Sequence, residues 1–398
     1  MKRTSLSLSV VLLLLLTTGC WDRKELNDRA PLLGWGMDLV KDGTYRATAQ
    51  LAISSKLGGG QGPTGQEYPY FIETGFGKNI RNAADDIQTK ISRTLFAGHR
   101  RAIIIGESLA RHGLKEIVDE YSRNVIVRLR SDMFIVKGGT ATELLRLTYP
   151  YERIPIFGAV KIHEAGGIKP EFTLRDFLIA ASSEGSSPVL PVLEILPEPP
   201  APKGPKGEQA REPRIKHTGT GVFNSNLKLV GFLDAKDSSM REWVCGIRNS
   251  VSIAESLPEI GNISLDVYQL RSKITPVIQD NKVLKVNIIM TGNGSLVESN
   301  TNLDLSESNN LIRMQDELSK QLEESTMKMI KKAQHTHGRD VFGIDNVIHR
   351  KHPYLWKTLK IRWDKEFANV DVSVKVNLVI RDTGQLGKPL QLKKNEIQ

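Results

Sequence analysis

Cys20 is the one residue whose neighbours specify a reaction. Met1, Lys2 and Arg3 make a short basic start, Leu6 to Leu16 is apolar except at Ser7 and Ser9, and Thr17-Thr18-Gly19 leads into the cysteine with small residues. This order suits a peptidase that closes on the backbone at Gly19 and a transferase that places a diacylglyceryl group on the Cys20 thiol. Residues 1–19 are therefore expected to be a lipoprotein signal peptide, with Cys20 as the lipidation site. Leucine is usual three places before such a cysteine; here Thr17 holds that place and Leu16 stands one step further back. The alternatives are an ordinary secretory signal with a chance cysteine and an uncleaved membrane helix. The apolar run falls short of the roughly 20 residues a spanning helix needs, so the expected product is anchored to a membrane without crossing it. Two acyl chains, at about 0.8 kcal/mol per buried methylene, hold far more firmly than one.

The other constellations are weaker. Gly60-Gln61-Gly62-Pro63-Thr64-Gly65 has the spacing of a dinucleotide-binding loop, but that loop works only where a strand turns into a helix, and Pro63 and the extended Tyr68-Pro69-Tyr70-Phe71 argue against one. Gly106-Glu107-Ser108-Leu109-Ala110 lies between a strand and a helix as a nucleophile elbow does, with Ala110 in place of the second glycine. Glu107 and Ser108 suit the first turn of a helix better. His335-Thr336-His337, near His349 and His352, lacks a cysteine to complete a zinc set, and Asp340 and Asp345 read as loop residues. Cys245, beside Trp243 and Val244, reads as a small core residue in a helix. The sequence thus predicts no catalytic, cofactor-binding or metal-binding residues.

Composition sets the class. An apolar fraction of 39% and a charged fraction of 25% are ordinary for a folded protein, and the chain is long enough for two or three compact domains. The formal charge is +10, of which Lys2 and Arg3 lie in the segment to be removed. An exported basic chain suits anionic lipid headgroups, and nucleic acid is not expected as a partner. With Cys20 and Cys245 the only cysteines, acylation of the first leaves no internal disulfide, so packing must supply the stability.

The elements that would carry these residues fall into two regions. Residues 20–196 are expected to be mixed α/β. Asp42-Gly43 marks a hairpin turn into a strand at Thr44–Ile53, and Ile80, Ala83, Ala84, Ile87 and Ile91 mark one face of a helix. A buried strand is expected at Arg101–Ile105, helices between Leu109 and Tyr121, a strand at Met133–Val136, and short helices at Thr140–Leu147 and Leu174–Ala181. Residues 197–215, rich in proline, read as a linker or long exposed loop. Residues 216–390 read as a long helix packed on an antiparallel sheet: strands at Thr220–Phe223 and Leu227–Leu233, alternation from Leu284 to Met290, a helix from about Ser308 to Gln334 with Leu318 and Leu322 on its stripe, and a half-buried strand from Val370 to Ile380 with Val374 facing that stripe. The fold class is α+β, a multidomain mixed α/β protein.

Trp21-Asp22-Arg23-Lys24-Glu25-Leu26 after the cysteine, then Gly34-Trp35-Gly36-Met37-Asp38, resembles the opening of the Ger(x)C spore germination lipoproteins. The likeness continues through His99, Arg101, Gly106-Glu107 and Ala110 to Gly113, and resumes with Asp340-Val341-Phe342-Gly343, Lys351-His352-Pro353, Leu355-Trp356, Trp363 and the Val370–Ile380 strand. The resemblance implies three mixed α/β domains, so the first region would divide in two. It also implies a non-enzymatic subunit of a nutrient germinant receptor, lipid-anchored through Cys20 on the outer face of the inner spore membrane, working with an A subunit and a permease-like B subunit. Trp21 to Leu26 would position the chain at the membrane or against a partner. Two other functions stand beside this one: a lipoprotein that captures the nutrient itself, and a surface hydrolase using Ser108.

Overall fold

The computed structural model describes residues 28–57, 68–124, 127–149, 151–167, 172–197 and 214–383. The expected signal peptide, Cys20, the Trp21–Leu26 motif and the Gly60–Gly65 loop therefore lie outside the described residues.

In chain order the first body comprises β1 (Arg29–Leu39), β2 (Tyr45–Ala52), the single helical turn α1 (Ser54–Leu57), β3 (Tyr70–Gly77), α2 (Ile80–Lys90), β4 (Thr94–Phe96), β5 (Ala102–Gly106), α3 (Glu107–His112), α4 (Lys115–Arg123), β6 (Asp132–Lys137), α5 (Ala141–Arg146), α6 (Pro155–Glu164), α7 (Leu174–Ser182), β7 (Val189–Leu196), β8 (Arg214–Phe223) and β9 (Leu229–Asp234). These strands make one nine-stranded sheet, in the order β3-β2-β1-β5-β6-β7-β8-β9, with β4 beside the start of β1. Strands β1, β5, β6 and β7 are mutually parallel, and the hairpins at either side are antiparallel. The unbroken apolar run Ala102-Ile103-Ile104-Ile105 is explained by burial on both faces of the sheet. Ile103 and Ile105 join Met133, Ile135 and the helices α2, α3 and α4 on one side. Ala102 and Ile104 join Phe134, Val136 and the helices α5 and α6 on the other.

Thr220–Phe223 and Leu227–Leu233, expected to open the second region, instead complete this first sheet. Leu196 pairs with Arg214 across β7 and β8, so the proline-rich stretch expected over 197–215 joins two neighbouring antiparallel strands and does not link two bodies. The expected turn at Asn224-Ser225-Asn226 is present between β8 and β9, closed by a bond from the Asn224 N–H to the Lys228 carbonyl, 2.9 Å.

Beyond it come α8 (Ala235–Cys245), β10 (Ser250–Leu257), β11 (Gly261–Gln279), β12 (Lys282–Ser299), α9 (Ser308–Lys332), α10 (Ile344–Lys351), α11 (Pro353–Leu359), α12 (Trp363–Asn369) and β13 (Asp371–Asp382). A second sheet runs β10-β11-β12-β13. Asp280 and Asn281 both take positive φ (50° and 56°) and turn β11 into β12 as a two-residue hairpin loop. The sheet was expected to be antiparallel; β10, β11 and β12 are, but β13 runs parallel to β12. The four helices between them return the chain to the same edge, as a parallel pairing requires. Leu284 also departs from the expected alternation: a bulge at that point leaves it exposed and turns Val283 inward.

α9 closes the open edge of β13. The N–H groups of Val376, Leu378 and Ile380 donate to Glu323 Oε1 (2.9 Å), Ser319 Oγ (3.4 Å) and Gln315 Oε1 (2.6 Å). Four helical residues rise about 6 Å and two strand residues about 6.7 Å, so a polar stripe at every fourth helical position meets every second strand N–H. An edge that would template pairing with another chain is thereby occupied. Met314, Leu318 and Leu322 face the core alongside Val372, Val376, Leu378 and Ile380, with Val374 half-buried against them.

The alternation in β13 makes a direct test. Val376 is buried and Lys375 is exposed, held only by an ion pair to Glu323 (3.1 Å). Val376→Asp is expected to cost about 4 kcal/mol in urea unfolding of the mature chain, because it buries an unpaired charge, and Lys375→Ala about 0.5 kcal/mol or less. Equal losses in the two variants would place the faces the wrong way round.

Candidate functional site

The residues singled out in sequence fall into two buried clusters and several surface positions. The first cluster is built on the C-terminal half of β1. Asp38 is almost wholly buried, and its carboxylate accepts from Ala141 N (2.7 Å), Thr142 N (3.1 Å), Thr142 Oγ1 (2.8 Å) and Arg46 Nη2 (3.0 Å). It thus satisfies free N–H groups in the first turn of α5, where Thr140 and Glu143 also form a reciprocal cap. The glycines around it are there for space. A Cβ on Gly106 would overlap Asp38 Oδ1, and one on Gly36 would come within 2.9 Å of Leu145. Gly34-Trp35-Gly36-Met37-Asp38 and Gly106 therefore form one packing unit, in which helix α5 lies close on the strand and its end is tied to a buried carboxylate.

Glu107 and Ser108 open α3, as their residue types favour. Glu107 accepts from Gly138 N (2.7 Å) and Arg111 Nε (2.7 Å), and Ser108 Oγ donates to the Leu39 carbonyl (3.1 Å). No histidine or carboxylate bonds Ser108 among the described residues, so the elbow lacks a base.

The second cluster joins the two bodies. Asp340 and Asp345, which read in sequence as loop residues, are 0% and 2% exposed. Asp340 accepts from Phe342 N (2.9 Å), Asp345 N (2.9 Å) and Trp363 Nε1 (3.2 Å). Its own carbonyl accepts from Ser187 N (2.9 Å). Asp345 takes the hydroxyls of Ser183 (3.1 Å) and Ser186, both in the segment that leads into β7. A Cβ at Gly185 would stand 2.6 Å from both Asp345 and Trp356, so only glycine lets this segment pass. Gly343 takes a left-handed φ of 70° and starts α10. Two adjacent buried carboxylates are a common acid–base arrangement, but here they are enclosed by donors of the chain itself and offer no oxygen to a substrate.

Burial above all, then the neighbouring Asp345 carboxylate, push the Asp340 carboxyl up to about 7 against the pull of its N–H donors. Cys245 sits half-buried with its Sγ 3.7 Å from the carbonyls of Val341 and Phe342. His335 and His337 end the helical stretch after α9, His349 stacks on Trp356 at 6.0 Å, and His352 caps α11. No group of three metal-ligating side chains occurs among the described residues. No helix among them is long and apolar enough to cross a membrane.

The profile of the spore germination protein N-terminal domain matches residues 22–195, and that of the spore germination B3/GerAC-like C-terminal domain matches residues 218–384. The chain belongs to this spore germination family. It is 24% identical to spore germination protein KC of Bacillus subtilis (strain 168), covering 98% of each chain. Spore germination protein B3 of the same organism is 25% identical, over 97% of this chain and all of the relative. The crystal structure of the GerBC protein shares the fold, with a TM-score of 0.57 and 21% identity over 88% of this chain and 97% of that one. Of the residues that carried the family resemblance in sequence, Gly34 to Asp38, Gly106, Asp340 to Gly343, Trp356 and Trp363 build the two buried clusters.

The Asp340–Asp345 pair has a testable pH signature. A carboxyl whose folded pKa lies near 7, against about 3.9 unfolded, binds a proton in the folded state between those values. Its contribution to stability is complete below about pH 4 and lost as pH rises through 7. Asp345→Asn removes one raising charge; its Oδ1 can still accept from one of the two serine hydroxyls, and its Nδ2–H can donate to the other serine oxygen. Between about pH 4.5 and 7, urea unfolding should show a smaller fall in stability for the variant than for the wild type. Asp132, pushed up to about 6 mainly by burial, has the same sign, and His163, pushed down to about 3 mainly by burial, has the opposite one. Both are common to the two proteins and cancel in the comparison. An unchanged slope would show that the Asp345 charge does not raise Asp340.

Proposed function

We propose that this chain is the lipid-anchored, non-enzymatic subunit of a spore nutrient germinant receptor, acting with an A subunit and a permease-like B subunit on the outer face of the inner spore membrane. The observation that carries this is the family match across residues 22–195 and 218–384. It is supported by the character of Asp38, Asp340 and Asp345, whose carboxylates are spent on the chain's own N–H and O–H groups. The Gly19-Cys20 junction supports acylation at Cys20, with residues 1–19 removed as the signal peptide. A protein of this kind acts by position and contact.

A second reading, capture of the nutrient by this chain, has one feature in its favour. A cleft of about 630 Å³ opens between the end of β2, the start of β3 and the end of α2, with Ser54, Ser92, Lys90 and Arg93 around an apolar floor of Ile53 and Ile91. Saturable binding of a nutrient to the purified chain by calorimetry, lost in Arg93→Ala, would put this reading first.

For the leading reading, Cys20→Ala is expected to move the protein from the membrane fraction to the soluble fraction and to impair nutrient germination, because two acyl chains supply the strong anchor. A Cys20→Ala protein that stays firmly in membranes from which the partner subunits are absent would overturn the lipid-anchor claim.

A further inference from the structure

The segment from α11 to α12 is, with the short helical turn Lys360–Arg362, one nearly continuous helical rod with two unlike faces. Leu355, Trp356, Leu359, Trp363 and Phe367 are buried in the core. On the opposite face Tyr354 is 84% and Ile361 88% exposed, two large side chains of one surface in the open. They lie seven residues apart, two helical turns, and so share one stripe. Lys357 lies between them on that stripe, 5.7 Å from the Tyr354 ring, and exposed Lys365 extends it. Lys351 and Arg350 are exposed on the adjoining α10. The acids of this segment are engaged elsewhere, Asp364 with Arg339 and Glu366 with Arg362.

The position of this face follows from the sheet. Because β1, β5, β6 and β7 are parallel, their starting ends share one edge. Arg29 opens β1 at that edge, and the Ser183–Ser187 segment leads into β7 at the same edge. That segment holds the rod directly through Lys360 on Glu184 (2.7 Å), and holds the preceding α10 through Asp345 and through Asn346 on Ser186 (2.9 Å). Cys20 lies eight residues before Asp28, a span of at most about 29 Å. A chain tethered at Cys20 therefore has this edge held close to the bilayer.

The geometry points to the Tyr354–Ile361 face as a membrane contact that lies on anionic lipid headgroups, with Tyr354 and Ile361 entering the interface and the lysines and Arg350 pairing with phosphate. This rests on the tether at Cys20 proposed above. An amphipathic stripe of aromatic and aliphatic side chains among cations is the pattern of interfacial binding, and each cation near an anionic surface adds to the attraction.

The test uses the mature chain with Cys20→Ala, so that no acyl group contributes. It is floated with vesicles of phosphatidylglycerol and phosphatidylcholine in equal parts, and with phosphatidylcholine alone, at millimolar lipid. Binding to the first and not the second, weakened by salt, is expected. Tyr354→Ser with Ile361→Ser should lower it roughly tenfold while leaving the thermal unfolding midpoint unchanged, since both side chains are exposed. Absence of binding to anionic vesicles, or binding indifferent to the double variant, would overturn the inference. Loss of partner co-purification in the double variant with vesicle binding intact would assign the face to a protein and overturn it equally. The tether is checked separately by the mass of Cys20 in the native protein, so a missing acyl group and a face that ignores lipid are distinguishable results.

Discussion

The arrangement of this molecule turns on two carboxylates held out of water. Both come from the second body: the Asp345 carboxylate and the Asp340 carbonyl grip the segment that starts a central strand of the first, while the Asp340 carboxylate holds the second body's own turn and Trp363. A buried carboxylate with an unfilled lone pair is costly, and breaking a buried polar set is far worse than never having made one. The cluster is therefore close to all-or-none: Ser183, Ser186 and Ser187 must all be in place, with Gly185 leaving room for Trp356. Any rotation of one body on the other would strand several of these groups at once. A fully satisfied buried polar set specifies one arrangement, whereas an equal weight of apolar contact tolerates sliding.

The same device recurs within the first sheet. Asp38 ties the start of α5 to β1, and glycines at 34, 36 and 106 remove the side chains that would hold them apart. In both places a carboxylate meets backbone N–H groups and a glycine stands where any Cβ would collide. The β13 edge shows a looser version, with Gln315, Ser319 and Glu323 supplying acceptors at helical spacing to a strand that has no further neighbour. In the described residues these Asp and Gly positions hold elements in register, which gives the Asp-, Gly- and Trp-rich motifs a structural role.

What could be read from the sequence was what depends on periodicity. The helix expected over Ser308–Gln334 spans Ser308–Lys332, and the alternation from Val370 to Ile380 is a strand over Asp371–Asp382. Periodicity carries no information about which strand lies beside which. The inward-outward pattern of β13 is the same for a parallel as for an antiparallel neighbour, so the expectation of a wholly antiparallel sheet failed there. A proline-rich stretch looks alike whether it joins two bodies or two adjacent strands, so β8 and β9 were assigned to the wrong sheet. Leu284 broke the alternation through a bulge, a local insertion that hydrophobic patterning does not register. Asp340 and Asp345 read as loop residues because a carboxylate in a turn is ordinarily solvated. Only their contacts with residues more than 150 positions earlier reveal burial, and the nearest signal in sequence was the proximity of Gly343 and two tryptophans.

A rigid junction also changes what a weak surface can accomplish. If the rod carrying Tyr354 and Ile361 could swing, contact with a bilayer would have to fix it anew, at an entropic cost for every residue ordered. Held by Asp345 and Lys360, it arrives already oriented. With Cys20 acylated as proposed, a tether of at most about 29 Å holds Asp28 near the membrane, and the effective concentration of a site linked in this way reaches the millimolar range. Under those conditions a face that binds lipid only feebly from solution is engaged for most of the time. If Cys20 is acylated as proposed, the anchor keeps the protein at the membrane, and the polar junction between the two bodies fixes which side turns away from it.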